Sequence, residues 1–253
     1  MDQSPPTEPP SLQPPPPPPV PPLPTPQQAP EDTQVPWRAR EGFLILILSL
    51  LSGAFFSALA ASRIEDRDTL QLVVTIIIEA NLGAWVVLWV RLRHRVGMKA
   101  LGWNVRLEDV GSGFLAALLG LGASAAASNL VLSLWRAVSN SDVEQPEQLP
   151  TSLTGGRVAL AVIAVVIVAP IAEELFFRGF LYQALRRWRG VPFATVLSAF
   201  LFALAHGHPL LIIGIFPLGI ILAFIFQRRN SLAASIATHA FFNGISLIIL
   251  LTL

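Results

Sequence analysis

The chain has 253 residues, 53% hydrophobic and only 13% charged, with no cysteine and a formal net charge of +1. A soluble domain carries about 25% charged residues, so this chain lacks the polar surface to wrap a water-soluble globule. The absence of thiols excludes disulfide scaffolds, Cys-ligated zinc, iron–sulfur clusters and cysteine nucleophiles. The near-neutral balance leaves no electrostatic footprint for nucleic acid.

Residues 1–36 stand apart. Sixteen of the 22 prolines lie there, including the run from Pro14 to Pro19, and the segment holds no Lys, Arg or aromatic residue. Such a composition cannot bury enough apolar surface to offset its ordering entropy. The expectation is a disordered or polyproline-II tail, a solvated spacer or a ligand for a proline-binding module. It has neither the basic n-region nor the apolar h-region of a signal peptide.

From Trp37 onward the chain is strongly apolar, and the expected fold is all-α: a polytopic membrane bundle over 37–253. A bilayer span needs roughly 20 apolar residues. Seven candidate helices follow in order, near 43–61, 70–90, 110–135, 158–188, 193–206, 210–226 and 231–251. The fourth carries charges in its middle. The fifth is short for a full span and can stop inside the protein. Between the second and third, 97–109 reads as a short interfacial stretch, with Trp103 suited to the headgroup level.

Basic residues give the orientation. Arg38, Arg40, Arg91, Arg93, Arg95, Lys99, Arg106, Arg186, Arg187, Arg189, Arg228 and Arg229 fall on one side of a seven-helix arrangement; Arg63, Arg67, Arg136 and Arg157 fall on the other. The expectation is a cytoplasmic N-terminus and tail and an external C-terminus, in a bacterial inner membrane.

Ionisable groups inside a membrane are costly and are functional candidates. Here they are Glu79, Glu173, Glu174, Arg178, His206 and His239, with His208 at a loop edge. Glu174 and Arg178 are four apart on one helix face and can pair. Glu173 points about 100° away and is left free to act as a general base. The bland alternative is an interhelical ion-pair cluster. In the fifth helix Phe202 and His206 share a face, and a lone His there can simply be a packing hydrogen-bonder. In the seventh, His239 and Asn243 share a face. They can both donate to one oxygen, as an oxyanion site needs, or serve as interhelical glue. Counted from the basic helix ends at about 1.5 Å per residue, Glu173 lies roughly 22 Å in, His206 roughly 20 Å, His239 roughly 12 Å and Asn243 roughly 18 Å. Three helices thus bring polar groups to a similar level, with approach expected from the cytoplasmic side.

Glu-Glu-x-x-x-Arg at 173–178, Phe-x-x-x-His at 202–206 and His-x-x-x-Asn at 239–243, each in its own helix and in that order, resemble the CAAX-protease/bacteriocin-processing family, which includes the Rce-type prenyl-protein endopeptidases. Gly179-Phe180-Leu181-Tyr182 and Gly219-Ile220-Ile221-Leu222 also fit, and the resemblance covers about 155–253. It implies an intramembrane glutamic endopeptidase acting on membrane-associated peptides or proteins, with membrane lipid around it. Glu173 and His206 would activate a water, His239 and Asn243 would stabilise the oxyanion, and Glu174, Arg178 and Phe202 would support the site. The family is read as metal-independent, so no cofactor is expected. Two His and a Glu could bind zinc, yet no H-E-x-x-H helix is present. The alternatives are a catalytically silent scaffold or regulator of the same fold, and a small proton-coupled transporter.

Overall fold

Three helix starts have a local side-chain cause. Asp66 accepts from the Thr69 amide at 2.9 Å and Asp109 from that of Arg106 at 3.1 Å, satisfying donors that a first helical turn leaves free. Ser231 does the same for Ala234 at 3.3 Å. The computed structural model describes residues 35–139, 149–150 and 153–252, so nearly all of the expected proline-rich tail lies outside the described residues. Among those residues all regular structure is helical.

The helices are α1 (Ala39–Ala61), α2 (Arg67–Arg93), α3 (Leu107–Ser139), α4 (156–189), α5 (191–204), α6 (Pro209–Arg229) and α7 (Leu232–Thr252), with a 3₁₀ turn, Met98–Leu101, between α2 and α3. Six helical stretches are long and apolar enough to cross a membrane, α4 and α5 counting as one stretch, Gly156–Leu204. The two part at Gly190, whose φ of +81° favours glycine. Pro192 follows in the first turn of α5, where its missing N–H costs least. At about 21 Å, α5 is shorter than a bilayer's hydrocarbon core.

α4 is not uniform. It widens to π-helical geometry over Val162–Val168, returns to α over Ala169–Glu174 and widens again over Leu175–Tyr182. Pro170 has no N–H to give Val166, so the ladder is already open where the first wide segment ends. π-helical turns often occur at functional sites, and here the short α segment between two of them ends on Glu173 and Glu174.

The ends of the bundle differ. At one end lie the starts of α1, α3 and α7 and the ends of α2, α4 and α6, and with them the twelve basic residues. Cross-links there include Arg187 to the Val35 carbonyl at 2.6 Å, Gln183 to that of Ala100 at 3.0 Å and Arg229 to Asp109 at 3.0 Å. The half of the bundle behind that end is plugged by buried rings, Trp37, Phe180, Tyr182 and Phe226 among them. Trp37 stacks on Phe180 at 5.1 Å between centroids and donates to the Phe180 carbonyl at 2.9 Å. At the opposite end Arg157 bridges Asp66 and Asp68 at 2.8 and 3.2 Å. The outer surface is apolar, with Phe43, Leu50, Phe55, Leu119 and Leu130 all exposed. A water-soluble monomer does not carry such a belt; this is an integral membrane protein.

Candidate active site

The site is built on the short α segment of α4. Glu174 is fully buried and completely engaged. Its Oε1 accepts from Arg178 Nη1 at 2.7 Å and faces His239 Nδ1 at 3.2 Å, and its Oε2 accepts from the Ser235 hydroxyl. Arg178, equally buried, donates to the Gly219 carbonyl at 3.0 Å, and its guanidinium lies 4.4 Å over the Phe202 ring. One ion pair thus joins α4 to α5, α6 and α7. The expected i, i+4 pairing is present. α6 can come this close because residue 219 is glycine: a Cβ there would meet Ala199 Cα at 2.9 Å.

Glu173 is the contrast. Its Oε2 is buried and has no hydrogen-bond partner among the described residues, and His239 Nε2 lies 3.9 Å away. The rings of His206 and His239 pack against Phe202 at 5.2 and 5.5 Å, so Phe202 sets the positions of both histidines and of Arg178.

His206 departs from expectation. α5 ends at Leu204, and His206 lies in the turn before α6, next to Gly207, whose φ is +75°. No full helical turn beyond Phe202 carries it. Its Nδ1 instead reaches back to the Phe202 carbonyl at 3.0 Å. A carbonyl only accepts, so Nδ1 holds the proton and Nε2 of the neutral ring is an acceptor. Asn243 donates to the Val165 carbonyl, in the first π-helical segment of α4, at 2.7 Å. One of its two amide hydrogens is therefore committed, and the other remains for a ligand.

Glu173, His206, His239 and Asn243 all line one cavity of about 1170 Å³, together with Phe202 and Glu79. The structure thus brings the expected set together and adds a carboxyl from α2. The sequence signal for Glu79 was its position, as the lone ionisable residue between Thr69 and Val90. Ser235, one turn before His239 on α7, gave no sequence signal, since a membrane serine usually bonds its own helix.

The cavity also corrects the expected route of approach. Its other walls include Thr75, Ser128, Leu153, Leu210 and Leu250, all from the half of the bundle away from the basic end, and Leu250 is exposed. Among the described residues the ring-filled core closes the basic half, and the cavity extends from the site toward the opposite end. Among the described residues no three His, Asp or Glu side chains converge in a metal-holding group.

Comparison with known proteins singles out this part of the chain. Residues 155–245 match the family described as type II CAAX prenyl endopeptidase Rce1-like. The UPF0177 protein YaiF of Lactococcus lactis subsp. lactis (strain IL1403) is 40% identical over 82 residues, which are 32% of this chain and 36% of that protein. The chain therefore spans about a third of the length of the curated relative it matches. No solved structure matches it. The matched segment contains Glu173, Glu174, Arg178, Phe202, His206, His239 and Asn243, and over it the chain is similar to the CAAX prenyl endopeptidase family.

Proposed function

We propose that the protein is an intramembrane endopeptidase that hydrolyses peptide bonds of membrane-associated peptides or proteins. The observation that carries this reading is the asymmetry of two adjacent carboxyls. Glu174 is saturated by Arg178, Ser235 and His239, whereas Glu173 lines a cavity with His206, His239 and Asn243 and its Oε2 has no hydrogen-bond partner among the described residues. A water between Glu173 and the acceptor Nε2 of His206 would lose its proton to Glu173 as its oxygen attacks the peptide carbonyl. The free amide hydrogen of Asn243 would face the developing oxyanion, joined by His239 when its Nε2 also carries a proton, because Nδ1 is held by Glu174. Phe202 keeps both rings in register. No covalent intermediate forms.

The basic end of the bundle is cytoplasmic on the positive-inside rule, in a bacterial inner membrane, with an outward C-terminus. The cavity then faces outward, and its substrates are segments presented from that side of the membrane or from within it.

The test is cleavage of an internally quenched peptide library by the purified full chain beside its Glu173→Gln form. Turnover should fall by at least about 10²-fold, the usual contribution of a general base. Normal cleavage by the variant would sink the reading, as would a wild type that cleaves nothing while binding or transporting the same peptides. Activity should survive strong chelators; loss on chelation and recovery with zinc would replace the water–Glu–His account with a metal site.

A further inference from the structure

Hydrolysis as described leaves the water proton on Glu173 and requires a proton on the departing amine, which Glu173 or a second acid can supply. Glu79 is a second carboxyl lining the same cavity. A carboxyl midway along an apolar helix costs several kcal/mol, and this one shows no packing return: its Oε2 is buried and without a hydrogen-bond partner among the described residues. Gly83, one turn further along the same face of α2, lets α2 and α4 nearly touch. A Cβ there would sit 3.4 Å from Cα of Ala172, the neighbour of Glu173. Both helices run from the non-basic end, and helical side chains lean toward the N-terminus. Glu79 and Glu173 therefore lean the same way, into the cavity both line. Glu79 is within electrostatic range of Glu173 and His239. The other ionisable groups around the site are Glu174 and Arg178, which occupy each other, and the rings of His206 and His208. Two carboxyl groups sharing a cavity divide acid and base roles between them.

We propose that Glu79 is the general acid of the cleavage step; this rests on the hydrolase reading. As the water oxygen bonds to the carbonyl carbon, Glu173 takes the water proton and the C=O π pair moves to oxygen. Collapse of the tetrahedral intermediate restores C=O and breaks C–N. The bonding pair leaves on nitrogen, which takes the proton of the Glu79 carboxyl. The products are a carboxylic acid and an amine, and Glu79 regains its proton from Glu173 across the cavity.

The test uses the full chain, one peptide that the wild type cleaves from the library, and the same acyl sequence as a p-nitrophenyl ester. The ester's phenolate leaves without a proton. Glu79→Gln should lower amide turnover by about 10²–10⁴-fold at nearly unchanged KM, yet cleave the ester within a few-fold of wild type. Glu79→Asp should recover part of the amide rate. Amide and ester rates falling together, or neither falling, would overturn the assignment, and the ester rate itself reports whether the variant is folded. Glu173→Gln, run alongside, separates the two ideas. If it cleaves the amide normally, the hydrolase reading fails; if only the Glu79 variants are unresponsive, the acid assignment alone fails.

Discussion

Glu173 and Glu174 are neighbours in sequence with opposite surroundings, and that difference is measurable. Glu174→Gln would leave Arg178 buried without its carboxylate. Breaking such a pair costs about 3–5 kcal/mol, so the loss should appear in a thermal melt and in expression as well as in cleavage. Combining Glu174→Gln with Arg178→Met should recover part of that stability. Glu173→Gln replaces a carboxyl whose Oε2 has no hydrogen-bond partner among the described residues with a neutral isostere, and its melt should stay close to wild type while turnover is lost. If Glu174→Gln melts like wild type and the double variant recovers nothing, the ion pair has no structural role and both carboxyls must be treated as reacting groups. Phe202 offers a second measure. It packs against Arg178, His206 and His239 at once, so Phe202→Ala should cost about 3–5 kcal/mol and reduce cleavage further than the melt alone explains. An activity loss no greater than the loss of folded protein would reduce Phe202 to core packing.

At the scale of elements, α4 and α5 carry the site because neither is an ordinary span. The return to α geometry over Ala169–Glu174 places the two glutamates on different sides, and the break at Gly190 lets α5 end early, so His206 sits in a turn inside the bundle. The α5–α6 contact depends on a residue without a Cβ. Gly219→Ala would press a methyl onto Ala199 and displace the carbonyl that receives Arg178. A destabilisation of about 1–3 kcal/mol is expected; a melt unchanged from wild type would show that α6 can retreat freely. Outside the spans, Asp66 starts α2. Hydrogen bonds from Thr69, then the nearby Arg157 guanidinium, hold its carboxyl below the usual carboxylate range. Its stabilising effect is present above the unfolded carboxyl pKa of about 4 and is lost as pH falls through the lowered folded value. Asp66→Asn keeps the capping oxygen and should flatten that part of the acid melt; an identical pH dependence in both forms would contradict it.

At the scale of the whole molecule, twelve basic residues gather at one end and the cavity reaches the other. Because the chain has no cysteine, single introduced thiols report orientation cleanly. Leu250→Cys should react with a membrane-impermeant maleimide from outside intact cells, and Lys99→Cys only after the membrane is opened. A substrate peptide should protect Leu250→Cys. The reverse labelling pattern would invert the bundle and present the same cavity to cytoplasmic peptides instead, leaving the chemistry untouched.

The sequence by itself determined the apolar spans, their number near seven, the unequal ends and the three motifs with their order, because those depend on hydropathy, charge and spacings within one helix. It also made the Glu174–Arg178 pair legible, since both partners lie one turn apart. What it could not carry were relations between residues far apart in the chain. Ser235 meets Glu174 across 61 positions, and Asn243 reaches Val165 across 78. Glu79 and Glu173 share a cavity only because Gly83 lets two helices touch. The exact end of α5, the tautomer of His206 and the closure of the basic half by aromatic rings are likewise outcomes of packing. In a membrane bundle every helix is apolar on most of its surface, so hydropathy names the spans but does not say which faces meet, and the tertiary structure alone decided where the cavity opens.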